Sequence, residues 1–231
     1  RDTVGQAREP HARASHEGVM AAITAAYGAL AATYLLLFGY NTSWIGAIVK
    51  MLPILLLAAA SARQMRGAWR RGMVTALLFS ALGDWLLGMN GVLGNLFTAG
   101  LGSFLVAQLA YAQLFWRHRT PDRRRRWLAA CYLPVAAALA WLVLPAAGEM
   151  AAPVALYMLA ITAMVTGAAL ADRPLMVLAG ALAFAFSDAT IAINKFLTPV
   201  PQAGLVIMLS YYLAQWLLWR GALREPKEIS P

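Results

Sequence analysis

Charge is what this sequence has least of. Only 13% of its 231 residues are Asp, Glu, Lys or Arg, about half the share in an average soluble domain. That excludes a globular protein kept in water by a charged surface. Cysteine is nearly absent: Cys131 stands alone, which rules out an internal disulfide and a cysteine-cluster metal site. Acidic residues number 10 against 19 basic ones, so the net charge of +9 must be read against topology before any thought of nucleic acid. What is abundant is apolar surface, 61% of the chain, gathered into long runs. The composition is that of an all-α, multi-pass integral membrane protein.

Crossing a hydrocarbon core of roughly 30 Å takes about 17 to 25 apolar residues. Eight runs qualify: 19–38, 44–61, 73–89, 93–116, 127–144, 151–171, 175–197 and 202–219. Residues 1–18 read as a polar tail, 19–220 as one eight-helix transmembrane domain and 221–231 as a second tail. All but two of the 19 Lys and Arg fall on one side of this arrangement, and short basic loops stay in the cytoplasm. Both termini are therefore expected to be cytoplasmic, in a bacterial inner membrane. The run 123–126, four consecutive arginines, reads as a topology anchor and not as a nucleic-acid site. Trp44, Trp116, Trp127 and Trp219 fall at span ends, where an interfacial belt belongs.

Two aspartates lie inside these runs, Asp84 in the third and Asp188 in the seventh. An ionisable group at membrane depth costs on the order of 2.5 kcal/mol or more, so it is kept where it has a partner or a task. Each is preceded by Phe and Ser and followed six residues later by Asn, as Asp84/Asn90 and Asp188/Asn194. That weak repeat suggests two four-helix halves of like orientation. Counting 1.5 Å per residue from the loops brings the aspartates near the midplane. Lys50, Asn90, Asn194 and Lys195 then lie in the outer half, and Gln108, Tyr111, Tyr211 and Gln215 near the middle. Such groups are expected to converge, with Asp84 and Asp188 facing each other and Lys50 in reach of one. Ser80, Gly83 and Ser187 also suit close helix packing, and Gln108 and Gln215 suit interhelical hydrogen bonding.

The motifs together resemble one family. They are Lys50 and Pro53 in KMLP; FSxxGD from Phe79 to Asp84; GLxxF from Gly100 to Phe104, with Tyr111 downstream; Tyr157 and Met164; SDxxxAxNKF from Ser187 to Phe196; and YYxAQ of Tyr211, Tyr212, Ala214 and Gln215. The chain resembles the YhhN-like membrane proteins, the lysoplasmalogenases. The family usually carries His where this chain has Gln108. The resemblance implies hydrolysis of the vinyl-ether bond of a lysoplasmalogen within the bilayer, giving a fatty aldehyde and glycerophosphoethanolamine or glycerophosphocholine. It implies two catalytic carboxyl groups, Asp84 and Asp188, one the acid and the other the base and cation stabiliser, much as at a glycosidic bond. Lys50, Ser80, Asn90, Gln108, Tyr111, Tyr157, Ser187, Asn194, Lys195, Tyr211, Tyr212 and Gln215 are the expected substrate-binding residues, with Lys50 or Lys195 toward the phosphate. No metal or cofactor is called for, and the oligomeric state is left open. The competing reading of midplane carboxylates plus a lysine is a proton-coupled carrier of a small molecule or lipid.

Overall fold

A computed structural model describes residues 8–38 and 43–223, with side chains from 17 onward except at 38. Eight α-helices follow in order: α1 Arg8–Thr33, α2 Trp44–Gln64, α3 Gly67–Gly88, α4 Phe97–Arg117, α5 Arg123–Val143, α6 Ala151–Leu170, α7 Leu175–Phe196 and α8 Ala203–Ala222. A π-helical turn, Tyr34–Phe38, ends α1, and a 3-10 segment, Pro145–Met150, links α5 to α6. Among the described residues no strand occurs. Six of the helical segments are long and apolar enough to cross a membrane, and they fit an integral membrane protein. The helices outside that six are α3, interrupted by Arg70, Arg71 and Asp84, and α8, interrupted by Gln215 and Arg220.

Side-chain caps set two of the helix starts. Ser43 caps α2 by accepting from the Gly46 N–H at 3.0 Å, and Asp122 caps α5 by accepting from the Arg124 N–H at 2.8 Å, each satisfying a donor that the first turn leaves open. The cap at Asp122 draws the arginine run into the first turn of α5, so that helix begins four residues before the apolar stretch does. Arg125 also makes a structural contact. Its guanidinium donates to the carbonyls of Ala171 and Arg173, both at 2.6 Å, tying α5 to the α6–α7 turn.

Small residues decide which helices lie closest. A Cβ on Gly180 of α7 would stand 2.8 Å from the Leu218 nitrogen of α8, and one on Gly221 would stand 3.0 Å from the Val177 nitrogen of α7. Glycine on both sides lets the two backbones nearly touch. The Ser187 hydroxyl closes the same interface by donating to the Ile207 carbonyl at 3.0 Å, and Ser103 of α4 closes the α3–α4 interface by donating to the Phe79 carbonyl at 2.6 Å. Large apolar side chains such as Leu36, Trp141, Leu159 and Phe186 remain exposed around the outside, as a bilayer-embedded surface requires.

Candidate functional site

Some of the polar residues singled out in the sequence gather in two clusters in the bundle, one around each aspartate. In the first, Asp84 of α3 receives the Lys50 ammonium of α2 at 3.6 Å on Oδ1 and the Tyr211 hydroxyl of α8 at 2.7 Å on Oδ2. Asp84 is 1% exposed, so both of its oxygens are occupied and covered. Tyr212 holds the cluster in place: it donates to the Lys50 carbonyl at 2.9 Å, while Tyr27 of α1 donates to the Tyr212 carbonyl at 2.6 Å.

The second cluster is open. Asp188 of α7 receives the Tyr157 hydroxyl of α6 at 2.6 Å and, more weakly, the Gln108 amide of α4 at 3.5 Å. Both donors go to Oδ2. Oδ1 takes no protein hydrogen bond among the described residues and is not enclosed, which leaves it to the cavity that Asp188 lines.

That cavity is a cleft between α4, α5, α6 and α7, with Leu87 of α3 at its edge, and is open on one side; the unfilled space comes to about 790 Å³ when its open mouth is counted. Helical stripes build its walls: Phe97, Leu101 and Phe104 on α4, Tyr132, Ala136 and Leu139 on α5, and Asp188, Ala192 and Phe196 on α7. Thr162, Tyr132, Tyr157 and Asp188 are the polar side chains of an otherwise apolar lining. An apolar lining with a few convergent polar groups is the character of a ligand cleft. Phe104 is the partition between the clusters. Its ring faces the cavity on one side and meets Tyr211 edge-on at 5.8 Å on the other.

Of the residues expected to bind substrate, only Tyr157 lines this cavity beside Asp188. Gln108 reaches it through Asp188. Lys195 sits at its rim, exposed, with its ammonium 4.1 Å from the Phe97 ring centroid. Asn90 and Asn194 serve the chain itself: each accepts from a backbone N–H six residues on, at Leu96 (2.8 Å) and at Val200 (2.9 Å). Ser187 is spent on helix packing, and Tyr212 and Lys50 belong to the first cluster. Tyr111 donates to Gln215 at 2.7 Å between α4 and α8. Ser80 is buried without a partner among the described residues. The structure therefore does not bring Asp84 to the cavity wall with Asp188, because Lys50 and Tyr211 close over it first. Tyr132, Phe97 and Leu139 had carried no signal, since an aromatic or Leu in an apolar run reads as lipid-facing.

Residues 45–222 match the model of the YhhN family. The lysoplasmalogenase of Mycobacterium bovis is 38% identical over 173 residues, covering 72% of this chain and 66% of that protein. Lysoplasmalogenase TMEM86B of Sus scrofa is 33% identical over 187 residues, covering 80% and 78%, and lysoplasmalogenase TMEM86A of Homo sapiens 32% over 208 residues, covering 81% and 83%. The chain thus spans about two thirds of the mycobacterial relative's length. No solved structure matches.

Proposed function

Because the chain belongs to the YhhN family, we propose that it hydrolyses the vinyl-ether bond of lysoplasmalogens, with Asp188 as the acid that meets the substrate. The observation that carries this reading is the asymmetry of the Asp188 carboxyl. With Oδ2 accepting from Tyr157 and Gln108, a proton on this group belongs on Oδ1, the oxygen that faces the cavity. Tyr157 and Gln108 fix the plane of the carboxyl and so the direction of transfer.

The reaction then closes on one carboxyl group. Protonated Asp188 gives its proton to the alkene carbon remote from the ether oxygen, forming an oxocarbenium ion and leaving Asp188 ionised beside it. Water adds to the carbon next to oxygen and returns a proton to Asp188. The hemiacetal collapses to a fatty aldehyde and the glycerol hydroxyl of the glycerophospho-ethanolamine or -choline. Acid and base roles need not be divided between two aspartates, because the carbons that gain the proton and the water are bonded neighbours. Asp84 is a positioning residue in this scheme. It pins Lys50 and Tyr211, and through the Tyr211 ring it backs Phe104.

Purified protein in detergent, offered an alkenyl lysolipid and the matching acyl lysolipid, should release fatty aldehyde from the first and no fatty acid from the second. Aldehyde release needing no ion gradient excludes the carrier reading. Lipid movement between leaflets without aldehyde would overturn the hydrolase.

A further inference from the structure

A second cavity, unrelated to Asp188, lies in a furrow between α3 and α4 at the arginine-rich end of the bundle. It is an open furrow of about 450 Å³, counting the space at its mouth, lined by Ala68, Arg71, Gly72 and Thr75 of α3 and by Gln113 and Arg117 of α4, among others. Gly72 lets the Leu114 side chain of α4 pack against α3, and Ala68 and Thr75 line the furrow about a turn to either side. Its two charged side chains carry the same sign. Arg71 and Arg117 are both exposed, and neither has an ion pair or side-chain hydrogen bond among the described residues. Arg125 on carbonyls and Arg173 over the Trp69 ring at 3.9 Å are engaged; among the described residues, Arg71 and Arg117 are the unpaired arginines that share a furrow.

One helical turn further from that end sit two exposed polar side chains, Thr75 and Gln113, on the outside of the bundle where a membrane-spanning chain meets lipid. Thr162, Thr166 and Thr190 satisfy their hydroxyls on carbonyls of their own helix. Thr75 and Gln113 have no such partner among the described residues. Polar groups on a lipid-facing surface need one. Two guanidiniums at the headgroup level with a hydroxyl and an amide about 6 Å further in match a phosphate and the glycerol ester region below it. We propose that this furrow is a binding site for the phosphate of an anionic phospholipid from the leaflet at the arginine-rich end. Paired arginines suit phosphate oxygens, and basic pockets between spans take such head groups.

The test is equilibrium binding of fluorescent phosphatidylglycerol to the full chain in neutral detergent, with phosphatidylcholine as reference. Wild type should prefer phosphatidylglycerol. Arg71→Gln/Arg117→Gln should weaken it roughly thirtyfold, about fivefold per arginine. Arg123→Gln/Arg124→Gln, removing equal charge elsewhere, should keep affinity within about threefold of wild type, less than one arginine's share. Thr75→Val/Gln113→Leu, with all charges intact, should lose about threefold or more. Equal losses in the two arginine variants would reduce the effect to bulk charge and overturn the site. Competition by millimolar inorganic phosphate, with no effect of Thr75→Val/Gln113→Leu, would make it a free-anion site and overturn the lipid.

Discussion

Asp188 and Asp84 are alike in sequence and opposite in circumstance. Their prominence was legible because a carboxyl in an apolar run is costly wherever it sits, and Lys50 was legible as a partner for the same reason. Which carboxyl meets substrate was not legible. It depends on Tyr157 and Tyr211, which arrive from α6 and α8 and occupy particular oxygens. The two aspartates should therefore fail differently. Asp188→Asn removes the acid and should lower aldehyde release roughly 10²- to 10⁴-fold with folding intact. Asp84→Asn strands a buried ammonium and should cost stability first, on the order of 3–5 kcal/mol, read as a fall in the thermal midpoint of the detergent-solubilised protein. Adding Lys50→Met to Asp84→Asn should recover that stability, because a buried pair replaced by uncharged groups is often neutral. Activity is expected to return with it. Activity that stays lost while stability returns would restore Asp84 to the chemistry as a second carboxylate. Gln108 adds a third case. Its amide donates to Asp188 and has no proton to give away, so Gln108→Leu should lower turnover by about tenfold through misorientation. In the same assay Gln108→His, which can still donate, should keep most of it.

Helices were legible as apolar runs, and their true ends were not, since caps and arginines extend them past the apolar residues. Neither was the division of labour between the paired elements. Asn90 and Asn194, noticed as a sequence repeat, turn out to close equivalent turns after α3 and α7, which is a reason for the repeat that owes nothing to substrate. The glycines make the packing testable. Gly180→Ala sets a methyl against the Leu218 nitrogen and the Ala214 carbonyl, backbone atoms that cannot move aside, and should destabilise by about 1–3 kcal/mol through overpacking. Gly102→Ala, on α4 with nothing within 4 Å of the new methyl, should stabilise by roughly 0.5–1 kcal/mol because alanine gives up less backbone freedom. Thermal midpoints of the two variants moving in the same direction would show that contact at Gly180 does not govern the α7–α8 interface.

At the scale of the whole molecule the arginines predict which side of the membrane the site opens to. Arg71, Arg117, Arg119, Arg125 and Arg173 gather at one end, where Arg119 and Ala171 form a bridge and Arg125 grips the α6–α7 turn. The other end holds the Phe97 and Phe196 rim of the Asp188 cavity with Lys195 over it, and Val143 and Ala147 pack there near Phe196. Translocating an arginine-rich short loop is disfavoured, so that rim should face away from the cytoplasm and the substrate head group should lie in the outer leaflet. Cysteine labelling can read this directly, because Cys131 is alone and exposed and can be changed to Ala for a silent background. In that background Glu149→Cys, exposed beside the rim, should react with a membrane-impermeant maleimide in intact cells. Pro121→Cys, exposed at the arginine end, should react only after the membrane is opened. The reverse pattern would turn the molecule over. It would put the cavity mouth on the cytoplasmic side and require substrate to come from the inner leaflet, with the geometry around Asp188 unchanged.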